Sequence, residues 1–361
     1  MWLFNKWKKK RVSSKETAPQ LTTFQRQNLQ TPGLPPGGLP YAVYRAMEMD
    51  PMIQTALTIK KQAVMAVDWR IVPKDSSERA RSAARFVEDN LHQMQGSAST
   101  VLTQAMDAFS MGWSIQEMVF KPVNDQIWLH AIRPKDPSLF GLKMDAFGNI
   151  EKLRLQLPGE TPLDLPRDRF VIFVNRQTYG KPKGQSDLDA VHPHWVAKQA
   201  LSKAWKVHLE RFASPTILGK YQRGLPSEEQ TSVLRALQDL QDTLAIVYPS
   251  EIEIQTLGGD KASSSAFQDA IEFHNREIGR AILGQTLTTD EGRRVGSLAL
   301  GKVHLQVLLL QLSALRKLLA DQVMTEQVIR PLVEMNYGAD VVPRFEFEEQ
   351  PIEAFVSGKI A

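Results

Sequence analysis

The feature that most constrains this chain lies in its C-terminal third. Residues 298–335, LALGKVHLQVLLLQLSALRKLLADQVMTEQVIRPLVEM, read as one long helix with apolar residues on more than one face. A helix that is apolar nearly all round must be buried on several sides. In a chain of 361 residues, that points to neighbouring subunits as well as the chain's own fold. It is not a membrane span: its most apolar part, 303–319, contains His304, Gln306, Gln311, Arg316 and Lys317. Pro331 is expected to kink or weaken the last turn, and Gly338 of the NYG that follows is a C-cap candidate.

The rest of the chain has material for a core, with 42% hydrophobic residues. That suffices for one large domain or for two or three subdomains. There is no cysteine, so disulfides and thiolate metal sites are excluded. This fits a reducing compartment, or a particle assembled in one. The net charge of +4 is misleading, because Lys6, Lys8, Lys9, Lys10 and Arg11 lie in one N-terminal run. Without them the body is close to neutral. The basic run, with Trp2, Phe4 and Trp7, suits nucleic acid, a membrane surface or an acidic partner, or is a solvated terminus. It lacks the apolar segment of a signal peptide.

Residues 1–40 read as an extended arm, since PGLPPGGLP continues neither a helix nor a central strand. Asp50 and Pro51 then open a helix as N-cap and first turn. Trp69, Ile71 and Pro73 switch to a period of two, which predicts a short strand. Helices are expected over 77–95 and 99–111. Apolar and aromatic runs at 113–120, 126–134, 150–157 and 170–174, with turn signals at Asn124-Asp125 and Phe147-Gly148-Asn149, predict an antiparallel sheet backed by those helices. Residues 187–212 carry a strong helical stripe. Residues 216–257 read as a small α+β unit: strands at 216–221, 244–248 and 251–257, and a helix at 227–241. A polar linker precedes another helix, with Ser265 and Gln268 spaced as a capping box. A final strand is expected at 344–349, returning to the sheet.

Candidate chemistry is sparse. Gly296 to Lys302, GSLALGK, has the spacing of a phosphate-binding loop. Val303 occupies the position whose hydroxyl would ligate magnesium, and no strand precedes the segment. His192 and His194, behind Asp187 and Asp189, match no usual metal spacing, and His274 falls on an apolar stripe as a satisfied imidazole would. No GxSxG is present. The acidic pairs Asp290/Glu291 and Glu348/Glu349 have no acid–base spacing. No catalytic residue, metal or cofactor is expected, and the chain does not read as an enzyme.

The order of parts is more telling. HNREIGRAILGQTLTTDEGRRVGSLALGKVH at 274–304 joins a helix ending ILGQTLT through a Gly/Ser-containing loop to a helix beginning SLALGKVH. PLVEMNYG and PRFEFEE follow the long helix; DPMIQTALTIKKQAVMAVDWRIVP and YGKPKGQSDLDAVHPHWVAKQALSKAWKVHLERFASPTILGKY precede it. In this order the chain resembles the Mu-like group of bacteriophage portal proteins, over roughly residues 41–350.

The resemblance implies an α+β portal-type fold. After the arm at 1–40 come a helix-and-sheet wing (41–186), a first stem helix (187–212), a small α+β clip (213–262) and a second stem helix (263–283). A tunnel loop (284–297), the long wing helix (298–338) and a returning strand with a C-terminal tail (339–361) complete it. A C-terminal crown would be short or absent. The implied function is a ring-shaped channel, most often of twelve subunits, at one capsid vertex. Double-stranded DNA would pass through it without sequence reading. The implied partners are the terminase large subunit, a head–tail adaptor and the major capsid protein. The implied place is the virion's portal vertex, after assembly in the host cytoplasm. Thr288, Thr289, Asp290, Glu291, Arg293 and Arg294 of the loop, with Lys198, Lys203 and Lys206 of the first stem helix, are the candidate DNA-facing residues. Arg293 and Arg294 suit either phosphate contact or a salt bridge to a neighbouring subunit. Two other readings stay open: a minor capsid or adaptor protein without a conduit, and an ATPase using 296–302. Loss of hydrolysis on replacing Lys302 would mark the ATPase.

Overall fold

The computed structural model describes residues 39–178, 181–212, 217–221, 224, 226–239, 245–249, 261–284 and 298–348. It divides into two compact bodies, one formed by 1–190 with 279–361 and the other by Val191–Ile278.

The larger body opens with helices α1 (Tyr41–Glu48) and α2 (Pro51–Met65). The Asp50 carboxylate accepts from the Met52 and Ile53 amides, and Pro51 sits in the first turn where no N–H is needed. At the far end of α2 the buried Arg316 guanidinium donates to the Ala63 and Val64 carbonyls, a cation on the negative end of the helix. Strand β1 (Trp69–Val72) follows, then α3 (Glu78–Gln93), capped by Ser77. The single helix expected over 99–111 is two: α4 (Ala98–Ala105), capped by Ser97, and the short α5 (Ala108–Met111). Gly112, at φ 83°, ends α5 and turns the chain into a strand.

The β region holds more than the expected strands. In order they are β2 (Trp113–Val123), β3 (Gln126–Lys135), β4 (Phe140–Met144), β5 (Ile150–Leu155), β6 (Leu163–Pro166) and β7 (Phe170–Val174). They form two antiparallel three-stranded sheets, ordered β3-β2-β7 and β4-β5-β6, instead of one. Asn124, at φ 54°, and Asp125 close the β2–β3 hairpin. Trp113 and Ile115 of β2 pack with Phe170 and Ile172 of β7 against Phe140, Leu142, Met144 and Leu153 of the second sheet. The alternate residues Ser114 and Gln116 point the other way and donate to the Ala105 and Val101 carbonyls of α4. The first half of strand β2 is therefore buried on both faces; the Ser114 hydroxyl and the Gln116 NH2 are met by helix carbonyls, while Gln116 Oε1 is buried without a hydrogen-bond partner.

After the β region come α6 (Leu188–Phe212), β8 (Ile217–Tyr221), α7 (Ser227–Asp239), β9 (Ala245–Pro249) and α8 (Lys261–Leu283). Strands β8 and β9 pair in parallel with α7 between them in the chain. The strand expected at 251–257 lies outside the described residues. Helix α8 begins four residues before Ser265, so the Ser265/Gln268 pair is not a cap; Gln268 instead donates to Glu272 one turn on.

The long helix is present and is not uniform. It runs as α9 (Leu298–Leu318), a π-helical stretch (Leu319–Ile329) and α10 (Arg330–Asn336). The Arg330 N–H bonds back five residues to the Thr325 carbonyl. Pro331 sits in the first turn of α10, directly after the wide π-helical turn. Gly338, at φ 91°, ends the helix, and its N–H bonds to the Val333 carbonyl. Strand β10 (Arg344–Phe347) forms, but it pairs with β1 in a separate two-stranded sheet instead of returning to the sheet of β2 and β3. Trp69 stacks between Phe345 and His92 there, and the Thr325 hydroxyl of the π stretch accepts from the Phe345 N–H.

This last helical run also closes both edges of the β3-β2-β7 sheet. On the β7 edge, Gln327 Oε1 accepts from the Ile172 N–H at 2.8 Å and Nε2 donates to the Ile172 carbonyl at 2.9 Å. On the β3 edge, Asn336 Oδ1 accepts from the Ile127 N–H at 2.8 Å and Nδ2 donates to its carbonyl at 2.9 Å. Each side-chain amide pairs with a strand as another strand's peptide would. Gln327→Leu orphans two partly buried backbone groups and is expected to cost about 2–4 kcal/mol. Guanidinium unfolding of the variant beside the parent chain measures it.

Candidate functional site

The loop residues expected to face DNA, Thr288, Thr289, Asp290, Glu291, Arg293 and Arg294, lie outside the described residues. What the structure describes is the support from which that segment springs. Helix α8 ends at Leu283, and Gly284 follows in a left-handed conformation, φ 73°. A Cβ on Gly284 would stand 2.9 Å from the Gln311 side-chain oxygen on α9, an end that can swing aside, so it is the left-handed φ that favours glycine here. The chain re-enters regular structure at Leu298. Both ends of the segment are thus held by the larger body.

Beneath this root is a cavity of about 270 Å³, with walls that include Ile59, Phe109, Leu283, Leu312, Lys60 and Arg176. The two cations converge on one carboxylate. Asp187, fully buried, accepts from Lys60 Nζ at 2.6 Å, lies 3.3 Å from the Arg176 guanidinium and accepts from Asn175 Nδ2 at 3.0 Å. Its own N–H donates to the Phe109 carbonyl. Lys60 also lies over the Phe109 ring, 4.3 Å from its centre. Arg176 takes a left-handed backbone, φ 47°, unusual for a residue with a side chain, and reaches Asp187 from there. Gly184 in the same connection is fixed by contact: a Cβ would fall 2.1 Å from the Asn175 carbonyl oxygen. Asp187 therefore ties α2, α5 and the loop after β7 together immediately before α6 begins.

The three candidate lysines all lie on α6. Lys203 and Lys206 are exposed and Lys198 is half-buried; Lys206 is 3.8 Å from Glu210 one turn on. At about 100° per residue they spread over about 140° of the helix, so they do not form one line. The phosphate-loop spacing loses its structural basis. Gly301 and Lys302 are already within α9, and the element before the segment is helix α8. Among the described residues, strand, loop and helix N-terminus do not occur in the order the chemistry needs. Among the described residues, no group of three or more His, Cys, Asp or Glu could hold a metal ion, and no helix is long and apolar enough to cross a membrane.

With this geometry the chain was compared with known proteins. The family model for the portal protein of Mu bacteriophage matches residues 41–355. The chain belongs to this portal family. Among curated family relatives, Mu-like prophage FluMu protein gp29 of Haemophilus influenzae is 26% identical over 322 residues, covering 86% of this chain and 61% of that protein. The portal protein of Escherichia phage Mu is 25% identical over 261 residues, covering 72% of this chain and 50% of that protein. This portal-family chain thus spans between half and three fifths of the length of those relatives. Among solved structures, a chain from the neck of the empty GTA particle, computed with C6 symmetry, superposes with a TM-score of 0.61 at 13% identity, covering 94% of both chains. One from the neck of the native particle, computed with C12 symmetry, gives 0.58 at 13% identity, over 95% of this chain and 89% of that one. The portal-type fold extends across both bodies.

Sequence reasoning missed the Asp187 cluster, although Asp187 stood out as an acid ahead of a helix. It also missed Lys183, whose ammonium is buried over the Trp113 ring and donates to the Phe140 carbonyl. Burial pulls its pKa down to about 8. The unfolded chain keeps the ordinary value, so between pH 8 and 10.5 it binds a proton that the folded chain has lost. Stability should therefore rise with pH across that window, by about 3 kcal/mol at most. Tyr41, whose phenol is pushed up to about 12 by burial, should turn the curve down above pH 10. Urea unfolding at pH 7 to 10 tests this, and Lys183→Met should flatten the rise.

Proposed function

We propose that this chain is the subunit of a ring-shaped channel at one vertex of a phage-type capsid. Double-stranded DNA passes through it during packaging, driven by a separate terminase motor, and again on ejection. The ring also serves as the head–tail connector platform and is a virion component. The family match across 41–355 carries this reading, and the fold shared with neck chains supports it.

Exposed apolar residues support assembly into a ring. On α9, Leu305, Val307 and Leu310 are 44, 46 and 59% exposed, and on α6 Val196, Val207 and Leu209 are also open. These belong to helices whose apolar faces exceed what the chain itself covers, as expected of surfaces that meet other subunits. Closed cyclic symmetry is the common arrangement for such contacts, and twelve subunits is the number proposed here. Residues 41–186 with 298–338 and the returning strand form the wing, 187–212 and 263–283 the stem, and 213–262 the clip that meets terminase and adaptor. Residues 284–297 form the tunnel loop.

In a ring every loop charge is repeated about the axis. Arg293 and Arg294 offer phosphate contacts, while Asp290 and Glu291 hold the lining near neutrality. A strongly basic lining would trap the duplex, because phosphate contacts add over many sites. The chain contributes no bond chemistry in this role.

Light scattering on a sizing column followed by electron-microscope class averages tests the reading. A large ring with an axial hole wide enough for duplex DNA is expected. A closed particle without a hole favours a minor capsid or adaptor protein. Leu310→Asp should leave the isolated chain folded, since the position is exposed, and lower the measured mass.

A further inference from the structure

Two histidines that the channel reading does not use meet inside the smaller body. His194 of α6 and His274 of α8 lie 80 positions apart in sequence, and their Nδ1 atoms are 3.1 Å apart. The rings are 5.3 Å apart, tilted by 55°. Phe273 packs edge-on to both, at 6.2 Å from His194 and 5.2 Å from His274. Further along the same two helices His208 meets Phe267 at 5.6 Å. The pair therefore belongs to a helix–helix seam with a second contact point.

An imidazole nitrogen either carries a hydrogen or offers a lone pair. At 3.1 Å one Nδ1 must donate and the other accept. The contact is compatible with two neutral rings, or with one neutral ring and one imidazolium. With both rings protonated each Nδ1 is a donor, no acceptor lies between them, and two positive charges meet at contact distance. Burial is the first cause that lowers the pKa of His274, the charge of His194 is the second, and the Glu277 carboxylate opposes both. The nearest charged residue one turn along α6 from His194 is Lys198, a further cation, and His192 lies against Trp195 at 6.2 Å.

We propose that His194 and His274 form a proton-operated clasp between α6 and α8, closed while at least one ring is neutral and released when both are protonated. The sign follows from linkage. A histidine whose folded pKa lies below the ordinary 6.5 contributes fully above that value, and its contribution is lost as pH falls through the lowered one. The clasp needs only the seam, and it operates whether or not the subunits form a ring.

Hydrogen exchange of the full-length chain, read by mass spectrometry at pH 7.5 and 5.0 and corrected for intrinsic rates, tests it. Peptides covering 191–210 and 265–280 should lose protection severalfold at pH 5.0. Peptides covering 113–120 in the β core serve as the unmoved reference. His194→Gln and His274→Gln each remove the second charge while keeping an amide that can donate or accept, and the acid response should vanish in both. Unchanged protection in the parent chain, or an acid response that persists in either variant, overturns the clasp.

Discussion

The larger body depends on how a three-stranded sheet finishes its two edges. Strands β3 and β7 each present backbone groups with no further strand beside them, and at Ile172 and Ile127 those groups are met by the amides of Gln327 and Asn336. Both amides come from one helical run that is more than 150 residues later in the chain. The run cannot leave the sheet without exposing paired groups on both sides, nor slide along it without breaking their register. The same run also holds β10 through Thr325 and the end of α2 through Arg316. One helix thereby gathers the N-terminal helices, the sheet and the returning strand.

Local chemistry was legible in the sequence wherever a few neighbouring residues decide the outcome. Asp50 with Pro51, the Asn124-Asp125 turn and Gly338 all act where expected, since each shapes or satisfies its own nearby backbone. The long helix was legible from its apolar content. What the pattern could not show was its π-helical stretch, which reflects how Pro331 and the sheet contacts are accommodated together. Strands β4 and β6 were missed because FGLKM and LDLP are short and lack clean alternation. The partner of β10 was out of reach for a related reason: β1 and β10 are each four residues long, and their pairing is settled by the stack of Trp69 on Phe345 and His92.

The site divides along the same line. The second half of the near-phosphate-loop spacing lies within α9. Gln327 and Asn336 were not singled out, and Asp187 only as an acid ahead of a helix, since a polar residue in such a pattern looks solvent-facing until its distant partner is known. Lys60 and Asp187 are separated by 127 positions and Gln327 and Ile172 by 155. His194 and His274 each had an ordinary local reading, and only the seam between α6 and α8 makes them a pair. The candidate DNA-facing loop carries strong sequence character and rests on a support whose key residues carry almost none.

The four bonds that close the sheet edges join neutral groups: two amide side chains and two peptide units. Their strength does not depend on a titrating proton or on a cloud of mobile ions. In the proposed channel a duplex would bring a dense row of negative charge and its own counterion atmosphere, and surface ion pairs near it would weaken or rearrange. The bonds at Asn336, made by uncharged dipoles at contact distance, are little affected by that traffic, while Gln327 Oε1 also accepts from the part-buried Arg167 guanidinium. These edge joints can therefore stay made across swings in local ionic strength.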